Sequence, residues 1–450
     1  MAKIANDPEK RKILIDKFMQ AIEVIDESAR RPGGLPDLDA IVREQVLGLG
    51  QEMLAQTLTA LGPELAQKAG ECLCPKCSYP LQFKQYRRTS VVPAITAERL
   101  NVSAPMAVCS NGCPVAMNLL RRKMVLDADG RTPKLRELAT LAGTVEPYEA
   151  AATDLLGTMA GISMSANGIH GICQEEAEYA ATLLETGRLA QTRTLAKGEV
   201  LYVMADGCMV WVDDAWREVK LAVIFPSSSN AEVSFERRMT LERQVVCTLG
   251  SADDLGDLIE AAVMKWLPQG KDGAPIIRGK VVFLADGADW LRILAELRLP
   301  GAAILLDWYH MAEHVAKTAN ILFSNANEAE KWRKDIENDM RVGEVHKALY
   351  KIHSCAKSAE TSTAAREELL NLHGYLHKRR QHLRYAEARA KGLLIGSGPV
   401  ESAANHVVQQ RMKRAGMRWT KKGADAMLAL RAAHRSTGGF RSMRRETLAA

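Results

Sequence analysis

At 450 residues the chain is too long for one ordinary core, so roughly two to four domains are expected. The composition, 47% hydrophobic and 25% charged, is that of a globular protein, and no apolar run approaches the roughly 20 residues of a membrane helix, so no membrane role is expected. The net charge of +6 is uneven: residues 377–450 hold 17 Lys/Arg against 4 Asp/Glu, or +13, which leaves about −7 for the rest.

A basic end on a mildly acidic chain points to a polyanion such as nucleic acid, with a solvated basic tail as the bland alternative. The first 20 residues are charged and helical in pattern, without the apolar stretch of a signal peptide, so a cytoplasmic location is expected. Nine cysteines in such a chain favour metal binding or buried thiols over disulfides.

Apolar residues recur at three- and four-residue spacing (Ile13, Phe18, Met19, Ile22, then Ile41, Val46, Leu47, Leu54). This predicts helices over 8–30 and 37–70, parted by the Pro/Gly-rich stretch 31–36. Next come Cys72, Cys74 and Cys77, and later Cys109 and Cys113. Cys74-x2-Cys77 and Cys109-x3-Cys113 can form two tight knuckles. Their four thiolates would close a structural Zn²⁺ site, and strand-like pieces lie between them, the outline of a zinc ribbon. Cys72 is a spare or a competitor of Cys74, and a set of reduced cysteines is the bland alternative.

Over 150–180 an apolar helix, a break at Gly161 and a second helix capped by Ser163 or Ser165 give the layout of a helix-turn-helix. Asn167 and His170 would face out and contact DNA, or be merely exposed.

From Gly198 the pattern turns to strands: 200–205, 218–225 and 244–249, as in an antiparallel meander. A helix over 251–267 follows, then strand 280–285, helix 290–297 and strand 302–306. The order βββαβαβ is that of ribonuclease H. Two strands end on Asp-Gly, at Asp206 and Asp286, and a third ends on Asp307. Ligand sites in open α/β sheets gather at strand ends, and hard divalent cations want carboxylate oxygens. Asp206, Asp286 and a third carboxylate can hold two ions. Asp213 and Asp214 read as a solvated turn, Asp289 as a helix N-terminal charge, and Glu218 as a partner of Lys220. Asp307 is the serious rival for the site.

The stretch 392–419, GLLIGSGPVESAANHVVQQRMKRAGMRW, sets a Gly/Ser/Pro turn before Glu401 and then a basic helix. Pro399 suits a first helical position and Glu401 the first turn. A carboxylate at the mouth of a helix carrying Arg411, Lys413, Arg414 and Arg418 makes sense if the acid holds a cation and the bases hold phosphates.

The segments ADGCMV with EVKLAVIF, ADGADW, LLDWYHMAEH and IGSGPVESAANHVVQQRMKRAGMRW resemble bacterial insertion-sequence transposases of the DDE type, close to the ISKra-type family and distantly Mutator-like. The likeness covers about 74–433. It implies that Asp206, Asp286 and Glu401 are the catalytic ligands of two Mg²⁺ (or Mn²⁺) ions. It further implies that Asp307 and His310 form a pair that supports the metal ligands from behind or positions DNA, outside the catalytic three. It also implies double-stranded DNA partners (terminal inverted repeats and target DNA), a homodimer or higher oligomer, and a bacterial, nucleoid-associated location. Rival readings are a ribonuclease H-like nuclease without strand transfer and a DNA-binding regulator derived from such an element.

The expected fold class is multidomain α/β. It comprises an N-terminal helical region (1–70), a zinc ribbon (71–115) and an all-α helix-turn-helix-like region (116–197). A ribonuclease H-like core (198–318 and 392–435) follows, interrupted by a helical insertion (319–391), and a basic tail (436–450) closes the chain.

Overall fold

The computed structural model describes residues 7–31, 35–189, 193–234, 237–358 and 362–441. Residues 442–450, most of the expected basic tail, lie outside the described residues. The protein is a mixed α/β molecule of two compact units, with the boundary after Cys173 inside the helix Ala166–Glu185. No helix among the described residues is long and apolar enough to cross a membrane.

The first unit opens with helices Pro8–Arg30 and Leu38–Gln67. Asp7 caps the first by accepting from the Lys10 amide, and Pro8 stands where no N–H is missed. Strands β1 (Leu81–Val91), β2 (Leu100–Cys109) and β3 (Ala116–Asn118) form an antiparallel meander. The second helix lies on it: Leu54, Leu58 and Leu65 pack with Val91, Val102, Ala104 and Leu120. A short segment that could not bury a core alone thus borrows a helix face.

Three further helical segments follow, Pro133–Val145, Tyr148–Ala160 and Ala166–Glu185. The middle one has π geometry from Ala151 and ends at Gly161, whose φ of 70° is left-handed. Ser165, not Ser163, starts the next helix, with its Oγ accepting from the Gly168 amide at 3.1 Å.

The second unit is built on β4 (Leu201–Val212), β5 (Ala215–Pro226), the hairpin β6 (Asn230–Ser234) and β7 (Arg237–Thr240), then β8 (Gln244–Thr248), β9 (Val281–Ala285) and β10 (Ala303–Leu306). Five of them form one sheet in the order β10-β9-β4-β5-β8. β5 is antiparallel to β4 and β8, while β9 and β10 run parallel to β4. All five residues of β9 are buried, as expected of an inner strand of a parallel ladder.

One expectation is corrected. β4 does not end at Asp206 but runs on to Val212, because β5 pairs with it along its whole length, from Leu201↔Pro226 to Val212↔Ala215. What ends at Ala205 is the parallel ladder with β9. Beyond it the β4–β5 hairpin turns through Asp213 and Asp214, both at positive φ (48° and 55°), as a two-residue hairpin turn demands.

Helix Ala252–Val263, closed by a Ser251/Asp254 capping box, and helix Asp289–Arg298 supply the crossovers. A bundle then rises from Trp308–Leu322, Ala326–Val342, Val345–Lys357 and Thr363–Lys378. Met311, Val315, Ile336, Met340, Ile352, Leu369 and Leu376 form its core, and Leu306 of β10 joins them.

The chain returns as a helical run, Gly398–Ala404, Asn405–Gln409 in π geometry and Gln410–Met412, lying against β4 and β5. Helix Lys421–Arg435 covers β8. The first residues past this helix are tied down. Thr437 Oγ1 accepts from the Arg243 amide at 2.7 Å and Ser436 Oγ from the Val245 amide at 3.0 Å, which holds this stretch along β8.

Candidate functional site

The sheet register does most of the assembling. Ala205 pairs with Ala285, and Ala285 with Leu306. Asp206, Asp286 and Asp307 are therefore the next residues on three adjacent strands, at one level. Sequence distances of 80 and 21 residues become strand spacings of about 5 Å.

The three acids meet different surroundings. Asp206 is half-buried, and its Oδ1 accepts from the Gly207 amide at 2.7 Å. Burial raises its pKa; the Gly207 hydrogen bond works against this, and the charges of Asp286 and Glu401 add to the rise. Asp286 accepts from the Ala288 amide at 2.8 Å, a local turn that aims the carboxylate. The following backbone is held from the bundle: Tyr375 Oη donates to the Asp286 carbonyl at 2.9 Å and Arg379 Nε to the Gly287 carbonyl at 2.7 Å.

Asp307 is wholly buried and both its oxygens are committed. Oδ1 accepts from the Ser397 amide at 2.8 Å; Oδ2 accepts from the His310 amide at 3.0 Å and meets His310 Nδ1 at 2.8 Å. Burial works to raise its pKa, but the His310 and Ser397 hydrogen bonds win and lower it. The same hydrogen bond raises the His310 pKa to about 9, against the effect of its burial, so the imidazole is charged at neutral pH. Asp307 and His310 together pin the turn that delivers Glu401. Ser397 Oγ in turn donates to Glu401 Oε1 at 3.2 Å.

Glu401 is exposed in the first turn of its helix. Its carboxylate lies with the Asp307 carboxylate and the His310 imidazole in a group whose ligand atoms all fall within 4.8 Å of one another, one of two arrangements among the described residues able to hold a metal ion. Asp206 and Asp286 are not within that distance set; they are joined to it through the field that Asp286, His310 and Glu401 exert on Asp206.

The second metal-competent group is Cys74, Cys77, Cys109 and Cys113. Ser78 and Gly112, both at positive φ, close the two knuckles. Cys77 Sγ and Cys109 Sγ stand 3.5 Å apart. The crowding is felt at Cys113, whose thiol is pushed up to about 12 by its hydrogen bond with Cys77 and by burial. Cys72 packs beside the group but is not part of it.

The basic residues divide. Lys413 is exposed, and its charge reaches Cys208, two residues beyond Asp206. Arg418 is exposed and 3.7 Å from Asp214. Arg414 is half-buried, with Nε donating to the Gln410 carbonyl. Arg411 is a correction: it is 1% exposed, with its guanidinium 5.2 Å from the centroid of the Trp419 ring. The reason is visible in its own helix, where Val400, Ala404, Val407 and Arg411 recur at helical spacing and are all buried. In the first unit Asn167 and His170 are exposed on the first turns of helix Ala166–Glu185, the His170 ring 5.1 Å from that of Tyr148.

Three residues here escaped sequence reasoning. Ser397 was readable only as part of a turn. Tyr375 and Arg379 carry no local signal, because their partners lie 89 and 92 residues away. In the bundle the His353, His373 and His377 rings follow one another at 5.0 and 5.6 Å, the first pair tilted and the second stacked.

No curated protein matches the sequence. Residues 130–447 match a family described as Uncharacterised protein family (UPF0236), a span that begins after the four cysteines and takes in Asp206, Asp286, Asp307 and Glu401. On that match the chain belongs to the Uncharacterised protein family (UPF0236).

Proposed function

We propose that this protein is a DNA transposase of the DDE type, with a ribonuclease H-like core that cuts the ends of a mobile element and joins them to target DNA. The observation that carries the reading is the register of β4, β9 and β10. It sets Asp206 and Asp286 side by side at the end of the parallel ladder, with Asp307 anchoring the turn that brings in Glu401. The strand order, with three antiparallel strands extended by two parallel ones, agrees with that fold.

The donor set fits hard divalent cations: carboxylate oxygens, one exposed side, and crowded negative charge with few local counter-charges. Asp206, Asp286 and Glu401 would hold two Mg²⁺ or Mn²⁺ ions. When bound, the pair would supply Lewis-acid activation of the attacking and leaving oxygens. Asp307 and His310 position Glu401 rather than ligate, since the oxygens of Asp307 are already taken. Lys413 and Arg418 lie exposed on the same segment and would hold DNA phosphates. In the first step a water oxygen bonds to phosphorus and the bond to the 3′-oxygen breaks, leaving a 3′-hydroxyl on the element. In the second that hydroxyl attacks a target phosphodiester and displaces the target's own 3′-oxygen. No protein nucleophile is needed.

The cysteine group fits a structural Zn²⁺. A tetrahedral site with Zn–S of about 2.3 Å needs sulfurs about 3.8 Å apart, near the Cys77–Cys109 separation. The small meander it closes is read as a zinc ribbon, and the helices around Asn167 and His170 as a helix-turn-helix-like reader of the terminal repeats. Joining two ends requires both to be held, so a homodimer or larger assembly is the working form.

The test is cleavage and joining of DNA bearing the gene's own flanking sequences. Wild type with Mg²⁺ should give cut and joined products, and chelator should give none. Asp286→Asn should lower the rate by on the order of 10³-fold. Cutting without joining would make the protein a nuclease; binding without cutting under any divalent metal would make it a DNA-binding regulator.

A further inference from the structure

Beside the turn that carries Glu401 lies a cleft of about 740 Å³. Val223 and Val245 of β5 and β8 form part of its floor, and the segments around Gly396 and Pro399 one wall. Its charges are one-sided. Arg243, Arg341, Arg389 and Arg435 line it, with His406, and among the described residues no carboxylate does.

Among the described residues these arginines lack the usual acidic partners. Arg243 Nε donates to the Arg435 carbonyl, at 2.8 Å, and the Arg435 Nε is buried without a hydrogen-bond partner among the described residues. Burial lowers the pKa of both, and the Arg435 charge lowers that of Arg243 further. Glu242, next in the chain, faces Arg193 instead, at 3.3 Å. Arg389 is exposed and in no ion pair among the described residues, and Arg341 rests only on the Trp308 ring, 5.0 Å from its centroid. Guanidinium groups gathered and partly desolvated without a counter-charge call for an anion from outside.

An aromatic surface stands with them. Tyr309 lines the cleft and is 60% exposed. Its ring is set by close approach to the chain: a Cβ at Gly396 would fall 2.5 Å from Tyr309 Cε2. A held aromatic face among arginines matches a planar base joined to phosphate, and a cleft of this size is ample for one nucleotide and its neighbours.

We propose that this cleft binds unpaired, phosphate-bearing nucleotides of the DNA strand being processed, with the arginines on phosphates and Tyr309 on a base. The inference rests on the DNA reading above and adds a site to it. The shared chemistry is a nucleotide phosphate, which a single strand or a free nucleotide could present.

The full-length protein is titrated, with no Mg²⁺ or Mn²⁺ added and no chelator, against a labelled single-stranded 10-mer, a blunt duplex of the same sequence, and a deoxynucleoside monophosphate as competitor. Arg341→Ala/Arg389→Ala should weaken single-strand binding about ten-fold or more and reduce its salt dependence by roughly one to two ions. Tyr309→Ala should weaken it about five-fold or more with the salt dependence unchanged. Duplex binding should stay within about two-fold, and melting temperatures should match wild type. Unchanged single-strand binding in both variants overturns the proposal. An equal loss for duplex reduces the cleft to a general polyanion surface and overturns it too, as does a monophosphate that binds as tightly as the 10-mer. Because leaving out Mg²⁺ and Mn²⁺ removes cleavage, a normal titration of these variants beside an inactive Asp286→Asn would fault the cleft alone. The reverse pattern would fault the catalytic reading alone.

Discussion

Gly287 shows how little room the site leaves. Its φ of 92° is one that side chains avoid. A Cβ there would lie 2.6 Å from Tyr375 Oη, 2.7 Å from Leu306 Cδ1 and 2.9 Å from Arg379 Nε. Gly287→Ala is expected to cost about 2–4 kcal/mol, from left-handed strain plus displaced hydrogen-bond donors. It should lower cleavage more than melting temperature suggests, because the displaced donors hold the Asp286 loop; calorimetry alongside end-cleavage rates checks both. At this scale the sequence was partly legible. Asp206 and Asp286 were readable as apolar runs closed by Asp-Gly. Glu401 could be singled out only by its turn and by family likeness. Arg411 was misread because its neighbours are basic, although the stripe Val400, Ala404, Val407 already placed it inward. Nothing in the residues around Asp307 says that both its oxygens are spoken for.

Among the elements, the strands carry the arrangement of the acids and the two knuckles carry the small meander. Cys74 and Cys109 are buried with Leu81, Ala107 and Leu119, so this core is made of metal-competent thiols as much as of hydrocarbon. Cys109→Ser, or exhaustive chelation, is expected to release one bound zinc per chain and to remove more than about 5 kcal/mol from this element's stability. Cys72→Ser should keep the zinc. Metal analysis with hydrogen exchange across β1 and β2 reads both outcomes, and zinc retained by Cys109→Ser would remove that residue from the site. The five strands of the main sheet were readable from periodicity; strand length and the β6–β7 hairpin were not. The sequence marks where β4 stops being buried on both faces, at Ala205, and this reads like a strand end. The backbone continues because β5 is there to pair with it, and a pairing partner is not a local property of the chain.

For the molecule as a whole, the basic C-terminal surplus is divided between surface and interior. Arg411 and Arg431 are buried, and Arg379 serves a carbonyl rather than a phosphate. Part of the +13 is thus structural, which the charge count could not show. Acid stability depends on a different cluster. Glu199 accepts from both terminal nitrogens of Arg193, at 2.6 and 2.8 Å, and from the Ala196 amide and Ser228. The Arg193 hydrogen bonds, set against burial, hold its pKa at about 2. A depressed folded-state pKa gives stability that is present above the unfolded value of about 4.3 and is lost as pH falls through 2. With Arg193 41% exposed, about 1–2 kcal/mol is expected. Melting temperatures of wild type and Glu199→Gln should therefore differ at pH 6 and converge near pH 2. A constant gap across that range would show that the pair does not titrate as described.

The hydroxyl of Tyr375 and the guanidinium of Arg379 reach from the helical bundle to two successive carbonyls of the Asp286 loop. Excising the bundle would spare every acidic residue and still leave those carbonyls without donors. The bundle is therefore no passenger that chimeras could trade freely between relatives. A grafted bundle would have to bring an equivalent Tyr and Arg, one helical turn apart, or the recipient would inherit the acids without the support that aims them.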